Sequence, residues 1–137
     1  PKVSKEHNAY KDKIMRYTDS LNIIRLIDIT KTHGWQEEAY ILLWHQRGSY
    51  GKDTWIWSSF KPLINMEIKA GTIAPHFWAM LDDFKSIMEH KKSVYGYHPG
   101  KVNKDTVNLE RKTIGLPELT IEEIAERNKN PYGGRMY

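Results

Sequence analysis

The sequence predicts a mainly α-helical domain followed by an extended C-terminal arm. Apolar residues recur three and four positions apart in several segments, which is the spacing of one face of an α-helix. Five Trp, eight Tyr and three Phe supply packing surface in a chain that is only 39% hydrophobic. Aliphatic residues become sparse after Tyr97, so we expect residues 1–97 to form the helical domain and residues 98–137 the arm.

Two helices are predicted in the N-terminal quarter. Residues 5–17 have one narrow apolar face with lysines elsewhere, formed by Tyr10, Ile14 and Tyr17. Residues 21–33 repeat aliphatic side chains every three positions. They follow Asp19 and Ser20, either of which can cap a helix, and they precede Gly34, a natural stop, although the β-branched residues of this run are also compatible with a strand. The pattern therefore predicts two helices separated near residue 20.

Two further helices are predicted around a central loop. Residues 35–47 carry apolar side chains over a wide arc and end at Gly48, as expected for a helix at the centre of the core. The segment RGSYGKD then reads as a loop. Residues 75–92 form the most regular helix, because apolar side chains are spaced 4, 3 and 4 apart at Phe77, Leu81, Phe84 and Met88.

Residues 62–69 are compatible with two structures. The preceding TWIWSSF segment alternates in a way that suits a strand, so a β-hairpin near residues 53–69 is one alternative. As a helix, the segment has Ser59 as its cap, Pro62 in the first turn and Gly71 as its stop. This helix-start chemistry favours the helix.

The arm contains one predicted short helix. Thr120 and Glu123 form a capping box ahead of Ile121, Ile124 and Ala125. The segment HPGKVNKDTVN before it is low in aliphatic residues and typical of a linker. We expect the arm to become ordered against a partner, either another protein or a second copy of this chain.

Composition narrows the class of protein. The absence of cysteine excludes a disulfide framework and every thiolate zinc site. Apolar runs fall far short of the roughly 20 residues that a membrane span needs, and no signal-peptide core is present. We therefore expect a soluble cytoplasmic or virion protein that is not secreted and does not contact a membrane.

The charge of the chain suggests a polyanionic partner. The formal net charge is +4 and the isoelectric point is near 9.2, with cations concentrated in residues 1–17 and 85–112. Aromatic residues alternate with these cations in KKSVYGYH, a pattern that suits base stacking. The predicted nucleic-acid contacts are Lys11, Lys13, Arg16, Lys91, Lys92, Tyr95, Tyr97 and Lys101.

If residues 53–69 form a β-hairpin, their side chains predict a different function, that of a nuclease. Glu67 and Lys69 would then share one face of a strand, with Asp53 at the head of the neighbouring strand. This layout resembles the core of PD-(D/E)xK nucleases over roughly residues 35–98. The resemblance implies that Asp53 and Glu67 bind Mg²⁺ and that Lys69 assists catalysis. The same acid-x-Lys spacing recurs three more times in the chain, so we rank this hypothesis second.

Read as two helices around Gly71, residues 65–81 resemble a helix-turn-helix, with two packed core helices as the alternative. Thr72 would cap the second helix, with Phe77 and Met80 toward the core. The outward face, which would enter the major groove, would then be formed by His76, Ala79 and Asp83.

Three functions remain at this point. The leading prediction is a small, basic, non-catalytic protein that binds nucleic acid or lies beside it as a subunit of a larger assembly such as a virus particle. The second is a Mg²⁺-dependent nuclease using Asp53, Glu67 and Lys69. The third is a purely structural subunit whose arm wraps a partner. Only the nuclease needs a cofactor.

Overall fold

The computed structural model describes residues 5–132 and confirms a mainly α-helical fold. Within those residues the β structure is limited to one isolated parallel bridge between Ser93 and Val102. The helices are α1 (Lys5–His33), α2 (Tyr40–His45), α3 (Trp55–Ala70), α4 (Ala79–His90), α5 (Val107–Thr113) and α6 (Ile121–Lys129). Two short 3₁₀ turns, Glu37–Ala39 and Arg47–Ser49, flank α2.

Helix α1 is continuous where the sequence pattern predicted two helices. Ser20 lies inside it, and its hydroxyl donates to the Arg16 carbonyl at 2.9 Å instead of capping a new helix. The residues between the two predicted helices include neither glycine nor proline, so nothing in the backbone forces a break. The predicted stop is confirmed, because Gly34 has a φ of 82° and its N–H donates to the Thr30 carbonyl at 3.0 Å.

Helix α3 replaces the alternative β-hairpin near residues 53–69. It begins at Trp55, earlier than Ser59, so Pro62 lies in the helix interior and not in the first turn. The Ser59 hydroxyl donates to the Trp55 carbonyl at 2.7 Å. The prediction that residues 62–69 are helical is confirmed, as is the stop at Gly71, whose φ is 81°.

The two other predicted helices are shorter than expected. The segment predicted as one helix over residues 35–47 has a regular α-helix only in α2. Helix α4 begins at Ala79 and not near residue 75, because His76, Phe77 and Trp78 form turns. Thr72 does not cap it, since its hydroxyl donates back to the Glu67 carbonyl at 3.0 Å.

The hydrophobic core lies where the second half of α1 meets α2, α3 and α4. Its main side chains are Ile23, Leu26, Ile27, Leu43, Tyr50, Ile56, Trp57, Phe60 and Leu81. Tyr50 and Trp57 pack edge to face with ring centroids 5.1 Å apart, which is a favourable aromatic geometry. Trp57 also donates its indole N–H to the Ser49 hydroxyl at 2.9 Å, so its one polar atom is satisfied.

Two short helices follow residue 98. The capping box of α6 is confirmed on one side, because the Thr120 hydroxyl accepts the Glu123 N–H at 3.1 Å. Helix α5 had no counterpart in the sequence prediction, although Val107 at its start is fully buried. Both helices supply side chains that contact the segment following α4. Whether residues 98–132 form a unit separate from the core stays a prediction.

Candidate functional site: a lysine patch at a fixed loop beside an aromatic groove

The segment after α4 turns back along that helix and is held by one carboxylate. Residues 93–100, called here the 93–100 loop, pass Asp83, the fifth residue of α4, which is completely buried. One Asp83 oxygen accepts the N–H groups of Val94 and Tyr95, each at 2.8 Å. The other accepts those of Tyr97 and His98, at 2.7 and 3.0 Å. A single side chain therefore fixes four backbone groups of an irregular segment.

Two arginines hold the carbonyl groups of the same loop. Arg111 from α5 donates to the Tyr95 carbonyl at 2.7 Å and to the Pro117 carbonyl at 2.6 Å. Arg127 from α6 donates to the His98 carbonyl at 3.1 Å. Burial lowers the pKa of the Arg127 guanidinium, and the negative charge of Asp83 opposes that change. The loop is thus fixed from α4 on one side and from α5 and α6 on the other.

This arrangement corrects the helix-turn-helix prediction. Asp83 and Ala79 were expected on an outward recognition face, but their exposed fractions are 0% and 1%. His76 precedes α4 and lies in a turn. Because the predicted reading face is in the interior, α4 does not present it to a DNA groove.

The loop brings three predicted nucleic-acid contacts to one edge of the molecule. The Ser93 N–H donates to the Lys101 carbonyl at 2.7 Å, which places Lys101 beside Lys92 and close to Lys91. All three side chains are exposed. Among the described residues none of the three forms an ion pair; Glu89, the nearest carboxylate in sequence to Lys91 and Lys92, contacts Lys85 and His90 instead. We call these three lysines the bridge patch.

The other side of the loop borders an aromatic groove. The groove consists of two adjacent concavities of about 280 and 350 Å³ that share Tyr40 and Met80. Aromatic and histidine rings line it at Trp35, Tyr40, Trp44, His76, Phe77, Tyr97 and His98. Phe77 lies nearly perpendicular to both Trp35 and Tyr40, with centroids 5.4 and 5.6 Å away. Such edge-to-face packing keeps the walls of the groove in place.

Two tyrosines have raised pKa values, Tyr40 in the wall of the groove and Tyr50 in the hydrophobic core. Burial, followed by the charges of Tyr97 and Asp82, raises the pKa of Tyr40 to about 12. The Tyr40 hydroxyl is buried and has no hydrogen-bond partner in the described structure. Burial also raises the pKa of Tyr50, whose hydroxyl donates to Asp82 at 2.5 Å. Desolvation raises the pKa of Asp82 in turn, and the Tyr50 hydroxyl opposes that shift.

The two tyrosines predicted as stacking platforms differ in accessibility. Tyr97 is 41% exposed, and its ring centroid lies 5.5 Å from that of His76 at the rim of the groove. Tyr95 is half-buried, and burial raises the pKa of its hydroxyl. Tyr97 is therefore the more accessible surface for a flat ligand.

The remaining predicted nucleic-acid contacts lie in the first half of α1. Lys11, Lys13 and Arg16 are all exposed there. In this half of α1, Glu6, Asp12 and Asp19 stand between or beside them, so the local charge is mixed. The bridge patch concentrates positive charge more strongly than this helix does.

The structure does not bring the three predicted nuclease residues together. Asp53 precedes α3 and accepts the Ser58 hydroxyl at 3.1 Å, whereas Glu67 and Lys69 lie near the other end of that helix. The helix rises about 18 Å between Trp55 and Glu67, far beyond the ~2.0–2.6 Å from a metal ion at which carboxylate ligands lie. Glu67 instead accepts the Trp35 N–H at 3.0 Å. Residues 5–132 contain no group of three side chains placed to hold a metal ion.

The sequence pattern does not predict that Asp83 holds the loop, because the N–H groups that it binds lie 11 to 15 residues further along the chain. One local signal was present. Asp83 lies four residues from Ala79 and four from Ile87, on a stripe whose other members are apolar. A charged residue on such a stripe indicates a buried polar contact.

The comparisons with other proteins add no assignment to this geometry. The chain matches no protein-family model, no curated protein and no solved structure. In the part of the chain that the structure describes, no helix is both long and apolar enough to cross a membrane.

Proposed function

We propose that this chain is a non-catalytic protein that binds nucleic acid, or that lies beside it as a subunit of a larger assembly. The observation that supports the proposal is the bridge patch, where Lys91, Lys92 and Lys101 lie together and form no ion pair with any residue that the structure describes. Exposed cations of this kind bind phosphates and release condensed counterions, which makes affinity strongly dependent on salt.

The fixed loop makes the patch suitable for this role. Because Asp83, Arg111 and Arg127 hold the backbone between Lys92 and Lys101, little main-chain entropy is lost when a phosphate backbone docks. Lysine contacts to phosphates carry no sequence information, so binding tolerates any sequence. Tyr97, at the rim of the groove on the same loop, offers a stacking surface to an unpaired base.

Salt-dependent binding tests the patch. We compare the wild type with Lys92→Gln/Lys101→Gln and with the matched control Lys31→Gln/Lys52→Gln, which removes two exposed lysines elsewhere. Lys91 is left unchanged because its φ of 64° would add a backbone effect to any substitution. We expect the slope of log K against log salt to become shallower by about 2 in the patch variant and to stay as in wild type in the control.

Three results would count against this proposal. They are no binding to duplex or single strands at low salt, binding that is independent of salt, and equal losses in the patch variant and the control. Adding Tyr97→Ala separates the substrates, because loss of a stacking surface weakens binding to single strands and leaves duplex binding unchanged.

The non-catalytic part of the proposal is tested with divalent metal. We expect supercoiled plasmid, linear duplex and single strands to remain intact in millimolar Mg²⁺ or Mn²⁺. Lys69→Ala is the informative control, since this side chain is exposed and its loss leaves the fold intact. Glu67→Gln is less clean because Glu67 holds the Trp35 N–H. Metal-dependent cleavage that disappears in Lys69→Ala would make the protein a nuclease.

A further inference from the structure

The first half of α1 extends beyond the core. Residues 5–22 are exposed except for Asp19 and Asn22, which are half-buried, and full burial begins at Ile23. At ~1.5 Å per residue this half is about 27 Å long. An exposed segment of that length gains little from packing of an apolar face, which is the source of most helical stability in proteins. We therefore expect a second surface to pack against residues 5–22 of α1.

One stripe of α1 is both apolar and exposed. Its members are Tyr10 (64% exposed), Ile14 (47%), Tyr17 (67%), Leu21 (44%) and Ile24 (48%). They are spaced 4, 3, 4 and 3 apart, which is the 3.5-residue repeat of a coiled-coil seam. We call these five residues the α1 seam.

The seam faces away from the domain. The side of α1 that packs into the core consists of Ile23, Leu26, Ile27 and Thr30. At about 100° per residue, the mean direction of the seam lies roughly 150° from that side. A second helix can therefore pack along the seam without displacing any core contact.

We infer that the α1 seam pairs with the same seam of a second copy of this chain, as a parallel two-stranded coiled coil. In heptad lettering, Ile14 and Leu21 occupy a positions, and Tyr10, Tyr17 and Ile24 occupy d positions. Aliphatic a positions in the middle of the seam give it an apolar centre, and Asp28 at the next a position ends it.

The charged positions beside the seam favour the parallel orientation. In a parallel pair each g residue faces the e residue five positions further along its partner, which sets Glu6 against Lys11 twice by symmetry. The other g and e positions then bring no like charges together. An antiparallel pair sets e positions against e positions, where Lys11 and Arg25 are cations and the residue between them is neutral. Like charges there oppose pairing.

The identity of the partner follows from the same pattern. A parallel pair of identical helices satisfies both the apolar stripe and the Glu6–Lys11 contact with a single two-fold axis. It also places both globular domains at the same end, where the C-terminal half of each α1 enters its own core. This inference does not rest on nucleic-acid binding.

Sedimentation equilibrium of the full chain tests the dimer. Over roughly 1 µM to 1 mM, the range of weak association, we expect the mass to rise from 16.1 kDa toward twice that value. Ile14→Lys places a charge in the seam and should leave a monomer throughout. Met15→Lys is the matched control, because Met15 is 63% exposed and is the adjacent residue outside the seam. It should dimerise as the wild type does.

Spectroscopy distinguishes lost association from lost folding. None of the five Trp residues lies in α1, so Trp fluorescence reports the domain alone. In Ile14→Lys the fluorescence should match the wild type. Its helical circular dichroism should fall to the level of diluted wild type, since the first half of α1 loses its partner.

A single cysteine tests the orientation. The chain has no native cysteine, so Tyr10→Cys introduces a unique thiol at a d position. In a parallel pair the two thiols meet and oxidise to a disulfide-linked dimer. In an antiparallel pair they lie at opposite ends of the seam, about 20 Å apart at ~1.5 Å per residue. Met15→Cys, off the seam, should cross-link much more slowly.

Each alternative result overturns the inference. A monomer at the highest concentration, a dimer unaffected by Ile14→Lys, or equal loss in Met15→Lys rules out the seam. A trimer or larger species rules out the two-stranded form. Cross-linking of Tyr10→Cys no faster than of Met15→Cys rules out the parallel orientation.

Discussion

The 93–100 loop and the first half of α1 differ in how they are tied to the rest of the molecule. The loop has no repeating backbone pattern, yet four of its N–H groups bond one buried carboxylate and its carbonyls accept from two arginines. The first half of α1 has a fully regular backbone, and nearly all its side chains are exposed.

The difference shows that regular secondary structure and fixed position are separate properties. Hydrogen bonds inside a helix join residues four apart and do not attach the helix to anything else. The hydrogen bonds of the loop join residues up to 29 positions apart. The loop therefore opens only if its hydrogen bonds to Asp83, Arg111 or Arg127 break. We therefore expect the irregular segment to open less often than the regular one.

Asp83→Asn should have the largest effect on stability, because it removes the carboxylate that fixes the loop and so makes the loop less different from the first half of α1. The amide retains one acceptor oxygen, but its NH₂ group would face two backbone N–H donors and its charge would be lost. Leaving two of these N–H donors without an acceptor costs about 1–3 kcal/mol each, which is about 2–6 kcal/mol of unfolding free energy in all. Urea unfolding followed by Trp fluorescence measures this loss.

Asp105→Asn is the control for that experiment. Asp105 is an exposed acid in the following segment, and its substitution should change the unfolding free energy by no more than about 0.5 kcal/mol. A loss below about 1 kcal/mol for Asp83→Asn would show that water or other groups replace the carboxylate, and that the loop does not depend on it.

Amide hydrogen exchange sharpens the comparison directly. In dilute protein, the N–H groups of Tyr95 and Tyr97 should exchange at least ~100-fold more slowly than those of residues 9–19, a difference of about 2.7 kcal/mol. Raising the protein concentration should protect residues 9–19 and leave the loop unchanged, because only α1 gains a neighbour. Equal exchange in the two regions would contradict the comparison.

The same exchange data test the predicted boundary near residue 98. The sparse aliphatic residues of the arm predict rapid exchange after that point in the isolated chain. The structure predicts the opposite for α5 and α6. Val107 is buried, Arg111 donates to the Tyr95 carbonyl and Asn128 accepts the Val102 N–H, so exchange there should be slower than in a free segment. Protection in a monomer would assign residues 98–132 to the core domain.

The elements that the sequence predicted best have local signals. Gly34 and Gly71 end helices through their left-handed backbone, and Thr120 caps α6 through a bond three residues away. The sequence pattern predicts that α3 starts after Ser59, because proline is best tolerated in the first turn of a helix, but α3 begins at Trp55. Packing of Ile56, Trp57 and Phe60 into the core outweighs the cost of an interior proline there.

The candidate site was less predictable because it depends on distant contacts. Exposure of the predicted lysines followed from charge alone, but their convergence depends on the Ser93–Lys101 hydrogen bond, which has no sequence signal. Helical periodicity correctly placed Leu81 in the interior and wrongly placed Asp83 outside, since periodicity treats every carboxylate as solvated. Met88 shows the converse error, because it continues the apolar spacing and is 65% exposed.

Tyr40→Phe, in the wall of the groove, should change the free energy of unfolding least of the substitutions considered, apart from the controls. Unlike the loop N–H groups, the Tyr40 hydroxyl is buried and has no hydrogen-bond partner among residues 5–132. Removing an unsatisfied polar group should therefore leave the unfolding free energy at pH 7 unchanged or higher by up to about 1 kcal/mol. A loss above about 1 kcal/mol would show that the hydroxyl has a bonding partner, such as a bound water.

The pH dependence of the same variant gives a second readout with a defined sign. Because burial raises the pKa of Tyr40 from 10.0 to about 12, the folded state holds this proton more tightly than the unfolded state. The associated stability is fully present below pH 10 and is lost as the pH rises through about 12. For a fully buried group, a rise in pKa from 10.0 to about 12 corresponds to ~2.7 kcal/mol of unfolding free energy. The loss here is a fraction of that value, because Tyr40 is partly exposed.

Tyr40→Phe should reduce the loss of stability at alkaline pH only in part, since Tyr50 also has a raised pKa. The control Tyr10→Phe, at an exposed tyrosine, should leave the alkaline profile as in wild type. An alkaline profile identical in Tyr40→Phe and wild type would show that the Tyr40 hydroxyl is solvated.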